Sequence, residues 1–211
     1  MLKILFILFV SCVFSVLGQG NEIETLQVGE TFSKTNISLM NVDGREISLN
    51  NAMNKNGLLI VFSCNSCPFV IGTPNFPGWE LQYNSIFKEA DKLDVGMVLV
   101  NSNEAKRDGA DSYEKMQQRA QRMNYFMPYL LDENSSLANM FGAKTTPHVF
   151  LFDPEFKLVY SGSIDNMADN KRKKIKSFLL NAIIALSNNK KPKPYSTNPI
   201  GCSIKRLKTI K

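Results

Sequence analysis

Side chains that commonly carry chemistry are scarce in this sequence. Its 211 residues include one histidine, one tryptophan and four cysteines. So few cysteines exclude a disulfide-dense mini-domain. Cys64, Cys67, His148 and Cys202 are the candidate zinc ligands, but without a second close cysteine pair they do not read as a metal site. Long apolar runs are missing too. Beyond the N-terminus none reaches the roughly 18 residues a membrane-spanning helix needs, which excludes a multi-span membrane protein. Acidic residues are absent from 171–211, a stretch holding 12 of the 25 lysines and arginines, while residues 1–170 keep the other 13 against all 19 acids. The net charge of +6 is therefore an acidic body followed by a basic tail. A basic tail suits anionic lipid or nucleic acid. No aromatic series interleaves with this one, and nucleic acid is discarded as a partner.

What is present is core material. Hydrophobic residues make up 44% of the chain, with 14 Phe and 6 Tyr, enough to bury the core of one domain. Met1-Leu2-Lys3 is a short basic start, Ile4 to Leu17 is almost wholly apolar, and Val16-Leu17-Gly18 offers a cleavage position. This is the pattern of a secretory signal peptide over residues 1–18. The expected mature chain begins near Gln19 in an oxidising, extracytoplasmic compartment, the periplasm. Lipid attachment at Cys12, in Phe9-Val10-Ser11-Cys12, is the lesser alternative. A body over 19–187 and a basic, solvated tail over 188–211 complete the expected organisation.

Within the body, Ile37 to Leu39 and Glu46 to Leu49 alternate around Asp43-Gly44, a strong hairpin signal. Leu58 to Phe62 and Val95 to Val100 are continuous apolar runs, read as strands buried on both faces. Helical spacing runs from Trp79 to Leu93, again through Tyr113, Met116, Ala120 and Met123, and last from Ile175 to Leu186, with Lys171 to Lys176 on the polar side. Tyr129 to Leu131 is a short strand and Ser135 to Phe141 a short helix. Val149 to Phe152 and Leu158 to Ile164 form a closing hairpin. The result is an α/β fold, a mixed central sheet flanked by helices.

The chemistry concentrates in Cys64-Asn65-Ser66-Cys67-Pro68, where a buried strand must turn. With Cys67 in the first turn of a helix, the two Cβ atoms lie within bridging range. The helix start adds unpaired N–H groups and a positive dipole end, both of which favour thiolate. The expected sequence is attack by Cys64 on a disulfide, a mixed disulfide, then resolution by Cys67. A purely structural bridge is the competing reading, although so small a loop gains little chain entropy. Thr145-Thr146-Pro147-His148 leads into a strand. It is either a plain edge signal or a cis Thr146–Pro147 bond that bares the Thr146 backbone to an incoming peptide. His148 reads as a packed, hydrogen-bonded residue, and the Trp79 stripe and the methionines as core. No cofactor is expected.

Strand, CxxCP, helix, a Thr-Pro turn about eighty residues on, then hairpin and helix resemble the thioredoxin superfamily. Phe62-Ser63-Cys64-Asn65-Ser66-Cys67-Pro68-Phe69-Val70, Val100-Asn101-Ser102-Asn103, Met127 to Asp132, Thr145 to Phe150 and Gly201-Cys202-Ser203-Ile204-Lys205 resemble its redoxin, or peroxiredoxin-like, branch of exported bacterial proteins. The resemblance spans about Gln27 to Lys205. It implies a thioredoxin-like fold with a redoxin-type helical insertion over Asn101 to Leu131, a cis Pro147, and thiol chemistry at Cys64 and Cys67. Thr146 and Pro147 are then the substrate-binding residues. Peroxidases of the family carry Pro and Thr seven and three residues before the reactive Cys; counted from Cys67 those places hold Ile60 and Cys64, counted from Cys64 they hold Gly57 and Val61, and neither frame has the Thr. Reductases keep a buried acid six residues before the first Cys, where this chain has Leu58, so Glu104 is considered as a substitute base. Cys202 is a possible second resolving thiol.

Three functions compete. The first is a thiol–disulfide oxidoreductase, whose partners are a disulfide-containing protein or small thiol and an electron donor. The second is a thiol peroxidase acting on hydroperoxides. The third is a redox-inactive protein that keeps the fold for binding.

Overall fold

The structure is a computed structural model that describes residues 23–167 and 174–208; the expected signal peptide and Cys12 lie outside them. The chain runs β1 (Ser38–Asn41), β2 (Glu46–Ser48), α1 (Leu49–Ala52), β3 (Gly57–Ser63) and α2 (Pro68–Ile71). It continues through α3 (Tyr83–Lys92), β4 (Val95–Asn101), α4 (Tyr113–Met123), β5 (Tyr129–Leu131) and α5 (Ser136–Phe141). It ends with β6 (Thr145–Thr146), β7 (His148–Phe152), β8 (Leu158–Gly162), α6 (Phe178–Ser187) and β9 (Cys202–Ser203). Seven strands form one mixed sheet in the order β2-β1-β5-β4-β3-β7-β8. The three central strands β5, β4 and β3 are parallel, and the outer ones antiparallel.

Strand periodicity divides the core. Leu59, Val61, Met97, Leu99, Val149 and Leu151 face the layer of α3, α4 and α6, where Trp79, Tyr83, Met116 and Ile183 pack. Their chain neighbours Leu58, Ile60, Phe62, Val98, Val100 and Phe150 face α1 and α5. There Phe141 sits edge-on to Phe62, Phe150 and Phe152 at 5.2–5.6 Å between ring centroids. Each such pair adds about 1 kcal/mol beyond burial. Continuous apolar runs became central strands because both faces are covered. This is the thioredoxin-like fold, with α4 in the insertion between β4 and β5.

Local signals set the boundaries. Asp43-Gly44 turns β1 into β2, with Gly44 at φ +86°, and Asp43 fixes the turn by accepting from the Arg45 N–H at 3.0 Å. Ser112 caps α4 by accepting from the Lys115 N–H at 3.2 Å. Two expectations fail. The last helix starts at Phe178, and Ile175 is 61% exposed outside it. Lys174 and Lys176 would oppose the positive end of that helix, and Asn166 instead holds the Lys174 carbonyl and Lys176 N–H.

The second failure concerns the tail, which is not a solvated extension. Residues 196–206 lie against the body. Thr197 accepts from Ser163 N–H at 2.9 Å, and β9 pairs antiparallel with β6. Ile204 is 5% exposed, and Arg206 donates to the Ala143 carbonyl at 2.7 Å. Among the described residues no helix is long and apolar enough to cross a membrane.

Candidate active site

Sheet register brings the site together. Antiparallel pairing sets Phe62 opposite His148, so two residues beyond one and two before the other, Cys64 meets Thr146. Parallel pairing sets Ser63 beside Asn101, which delivers the insertion loop to the same sheet end. Cys64 and Cys67 are 1% and 3% exposed; Cys202 is half-buried and all three are free thiols.

The contacts around the sulfurs are short. The Cys67 N–H points at Cys64 Sγ, 3.3 Å away, and Cys64 Sγ lies 3.2 Å from Thr146 Oγ1. As a thiol, Cys67 donates to the Thr146 carbonyl at 3.0 Å. The Cys202 N–H donates to Cys67 Sγ at 3.4 Å. The Thr146–Pro147 bond is cis. The Thr146 edge that sequence reasoning left open for a substrate peptide is filled, because Thr146 pairs with Cys202. Gly201 makes this approach possible: a Cβ there would lie 2.3 Å from the Thr146 carbonyl oxygen.

Thiolate character falls on Cys67. Hydrogen bonding from the Cys64 thiol, followed by the Cys202 thiol and N–H and the Thr146 hydroxyl, brings it down to about 5 against the opposing effect of burial. These donors outweigh the Thr146 carbonyl, which favours the thiol form. Cys64 is pushed well above the ordinary thiol range by its bond to Cys67, by burial and by the charge of Asp111. Burial, then the bond to Cys67, lifts Cys202 to about 11. The expected helix dipole contributes little, because α2 has four residues and Cys67 is its cap.

Glu104 is not the acid of the site. It pairs with Arg107 at 3.4 Å and accepts the Asn134 N–H at 3.0 Å, because a 3-10 turn at Glu104–Lys106 carries it off the cysteine loop. The same turn returns Asp111, which sequence reasoning missed. Fully buried, Asp111 accepts from Asn65 N–H (2.7 Å), Ser66 Oγ (2.8 Å), Asn101 Nδ2 (2.9 Å) and Asn103 Nδ2 (3.1 Å). The only sequence signal was a loop dense in Asn and Asp. Tyr129 adds a bond from its hydroxyl to Asn65 Oδ1 at 3.0 Å.

His148 is a packed residue. Its Nδ1 accepts from Lys144 N–H at 3.2 Å, its Nε2 meets Ser161 Oγ at 3.2 Å, and burial lowers it to about 3. Among the described residues no group of three or more His, Cys, Asp or Glu converges as a metal cage. A cleft of about 220 Å³ between α3 and α6 is lined by Leu81, Ile86, Ile164 and Leu179, among others, and by no cysteine.

A buried thiol pair at the end of a parallel strand, beside a cis-proline turn, defines a thiol redox protein of the thioredoxin-like, peroxiredoxin-like class. A family model described as the AhpC/TSA family matches residues 28–161, and the chain belongs to that family. The chain is similar to an uncharacterized conserved protein from Geobacillus kaustophilus (28% identity, 90% of this chain and 96% of that one, TM-score 0.75). It is also similar to a hypothetical protein from Sinorhizobium meliloti 1021 (26%, 87% and 97%, TM-score 0.73). Peroxiredoxin Q of Xanthomonas campestris shares the fold (18%, 75% and 95%, TM-score 0.52). No curated protein matches the sequence.

Proposed function

We propose that the chain is an exported thiol–disulfide oxidoreductase in which Cys67 attacks and Cys64 resolves. The observation carrying this reading is the meeting of two buried thiols at one end of β3, with the Cys67 N–H aimed at Cys64 Sγ and the Cys202 N–H at Cys67 Sγ; the lowered Cys67 pKa agrees with it. The Cys67 thiolate attacks one sulfur of a substrate disulfide. That S–S bond breaks, the departing thiolate takes up a proton, and Cys67 is left in a mixed disulfide. Its negative charge is then gone, so one cause of the raised Cys64 pKa disappears and Cys64 ionises more readily. Cys64 attacks Cys67 Sγ, the substrate's second thiolate leaves, and a Cys64–Cys67 disulfide holds the oxidation. An external dithiol restores the pair. The partners in this reading are a disulfide-bearing protein or small thiol and that electron donor, met outside the cytoplasm as the apolar stretch over 4–17 suggests.

Insulin reduction by dithiothreitol tests it. The protein should accelerate precipitation of the insulin B chain; Cys67→Ser should abolish the acceleration, and the double variant Cys64→Ser, Cys202→Ser should accumulate a mixed disulfide at Cys67. No acceleration over dithiothreitol alone, or a Cys67→Ser variant as active as wild type, overturns the reading.

The second reading, a thiol peroxidase, draws support from the AhpC/TSA match and the thiolate at Cys67, with Cys64 in the place of the family's threonine. Hydroperoxide consumption dependent on Cys67, far faster than by free thiol, would favour it over the first.

A further inference from the structure

We infer that Cys202 is a third catalytic thiol, which moves the disulfide from the buried Cys64–Cys67 pair to a Cys67–Cys202 linkage at the surface. The inference rests on the Cys64–Cys67 exchange proposed above and adds its exit.

Two observations carry it. First, the pair is sealed: Cys64 and Cys67 are 1% and 3% exposed, and the backbone edge through which an extended peptide would reach them is taken by β9 of the same chain. A substrate that reaches Cys67 must displace β9, and once β9 is seated again a bulky dithiol reductant has no direct path to the Cys64–Cys67 bond. Second, what seals the pair also carries a sulfur. Cys202 sits opposite Thr146, and its N–H is 3.4 Å from Cys67 Sγ, which places its side chain on the residue that already touches that sulfur. Cys202 is also the least buried of the three. Cys67 is thus the shared neighbour of an inner and an outer thiol.

The step is an isomerisation. Cys202 Sγ, as thiolate, attacks Cys67 Sγ; the Cys67–Cys202 bond forms, the Cys64–Cys67 bond breaks, and the proton lost by Cys202 ends on Cys64. No electrons enter or leave. An external dithiol then attacks Cys202 Sγ from solvent and returns the chain to three thiols. The charge of the Cys67 thiolate, which helps hold Cys202 protonated in the reduced protein, is absent once Cys67 is in a disulfide.

Disulfide mapping tests the inference without relying on turnover. Full-length reduced protein is oxidised with one equivalent of diamide, quenched in acid, alkylated, digested and analysed by mass spectrometry. Wild type should yield both Cys64–Cys67 and Cys67–Cys202 linkages, with Cys64 alkylated in the second. Cys64→Ser should yield Cys67–Cys202 as its intramolecular disulfide. In Cys202→Ser, dithiothreitol should re-reduce the Cys64–Cys67 bond about tenfold more slowly than in wild type, since access limits exchange. Complete alkylation of Cys202 in oxidised wild type overturns the inference, as does unchanged re-reduction in Cys202→Ser. The wild-type map stands even if a variant does not fold. Insulin turnover without a Cys67–Cys202 linkage would sink this inference and leave the oxidoreductase reading intact; the linkage without turnover would do the reverse.

Discussion

The cysteine loop is gripped from two sides by different means. On the insertion side, Asp111 reaches across from the loop after β4 and touches no sulfur; it takes the Asn65 N–H and the Ser66 hydroxyl. On the other side, Thr146 and β9 reach the sulfurs directly. One bank fixes the shape of the turn and lends its charge to Cys64, and the other sets the chemistry of Cys67. The comparison teaches that stability and reactivity at this site are separable by mutation.

Asp111→Ala should show the largest effect. It strands two buried amide donors and two partly buried ones and should cost about 3 kcal/mol, read as a lowered urea midpoint, while the pH midpoint of Cys67 alkylation moves far less. An Asp111→Ala protein of wild-type stability would break the comparison. Gly201→Ala attacks the other bank. Its Cβ would meet the Thr146 carbonyl oxygen at 2.3 Å, so β9 must shift, at about 2 kcal/mol. Losing the Cys202 N–H, Cys67 should titrate measurably higher in an iodoacetamide pH profile.

Thr146→Val removes one hydroxyl donor, worth about 1 kcal/mol, and should raise the Cys67 alkylation midpoint from about 5 with little change in urea midpoint. The same thiol makes stability depend on pH. Between about 5 and 9 folded Cys67 binds fewer protons than the unfolded chain, so its contribution is present above 9 and lost as pH falls through 5. Cys202, lifted from 9.0 to about 11, works in the opposite sense and costs stability as pH rises above 9. Denaturation of the reduced protein from pH 5 to 9 should therefore show a rising limb that Cys67→Ser flattens. The smallest effect belongs to Glu104→Gln. Its pair with Arg107 is long and largely buried, but Gln keeps an acceptor for the Asn134 N–H, so the change should cost under about 1 kcal/mol, leaving the alkylation profile unmoved.

The sequence displayed the frame of this arrangement but not its second contact layer. Leu58 to Phe62 and Val95 to Val100 were legible as central strands because burial on both faces leaves no polar alternation. Asp43-Gly44 and the Cys64–Cys67 spacing were legible because turns and short-range sulfur pairs are local. Asp111 was not, since its partners Asn65 and Ser66 are 45–46 residues away and nothing local distinguishes it from Glu104 or Asp108. The C-terminal stretch was misread because lysine and proline suggest a solvated chain, whereas single residues such as Gly201, Thr197 and Ile204 anchor it. Ile175 matched the helical period, but the positive charge beside it favours a later start.

Asn103 joins the two banks. Its carboxamide gives its Nδ2 to Asp111 at 3.1 Å and takes the Lys205 N–H on Oδ1 at 2.9 Å, and it is itself buried. Peeling the terminus away would thus rob an enclosed amide of its donor and leave the Asp111 carboxylate with a less firmly held partner. The latch and the floor beneath it share one pin, so lifting the former would also cost the latter one of its bonds.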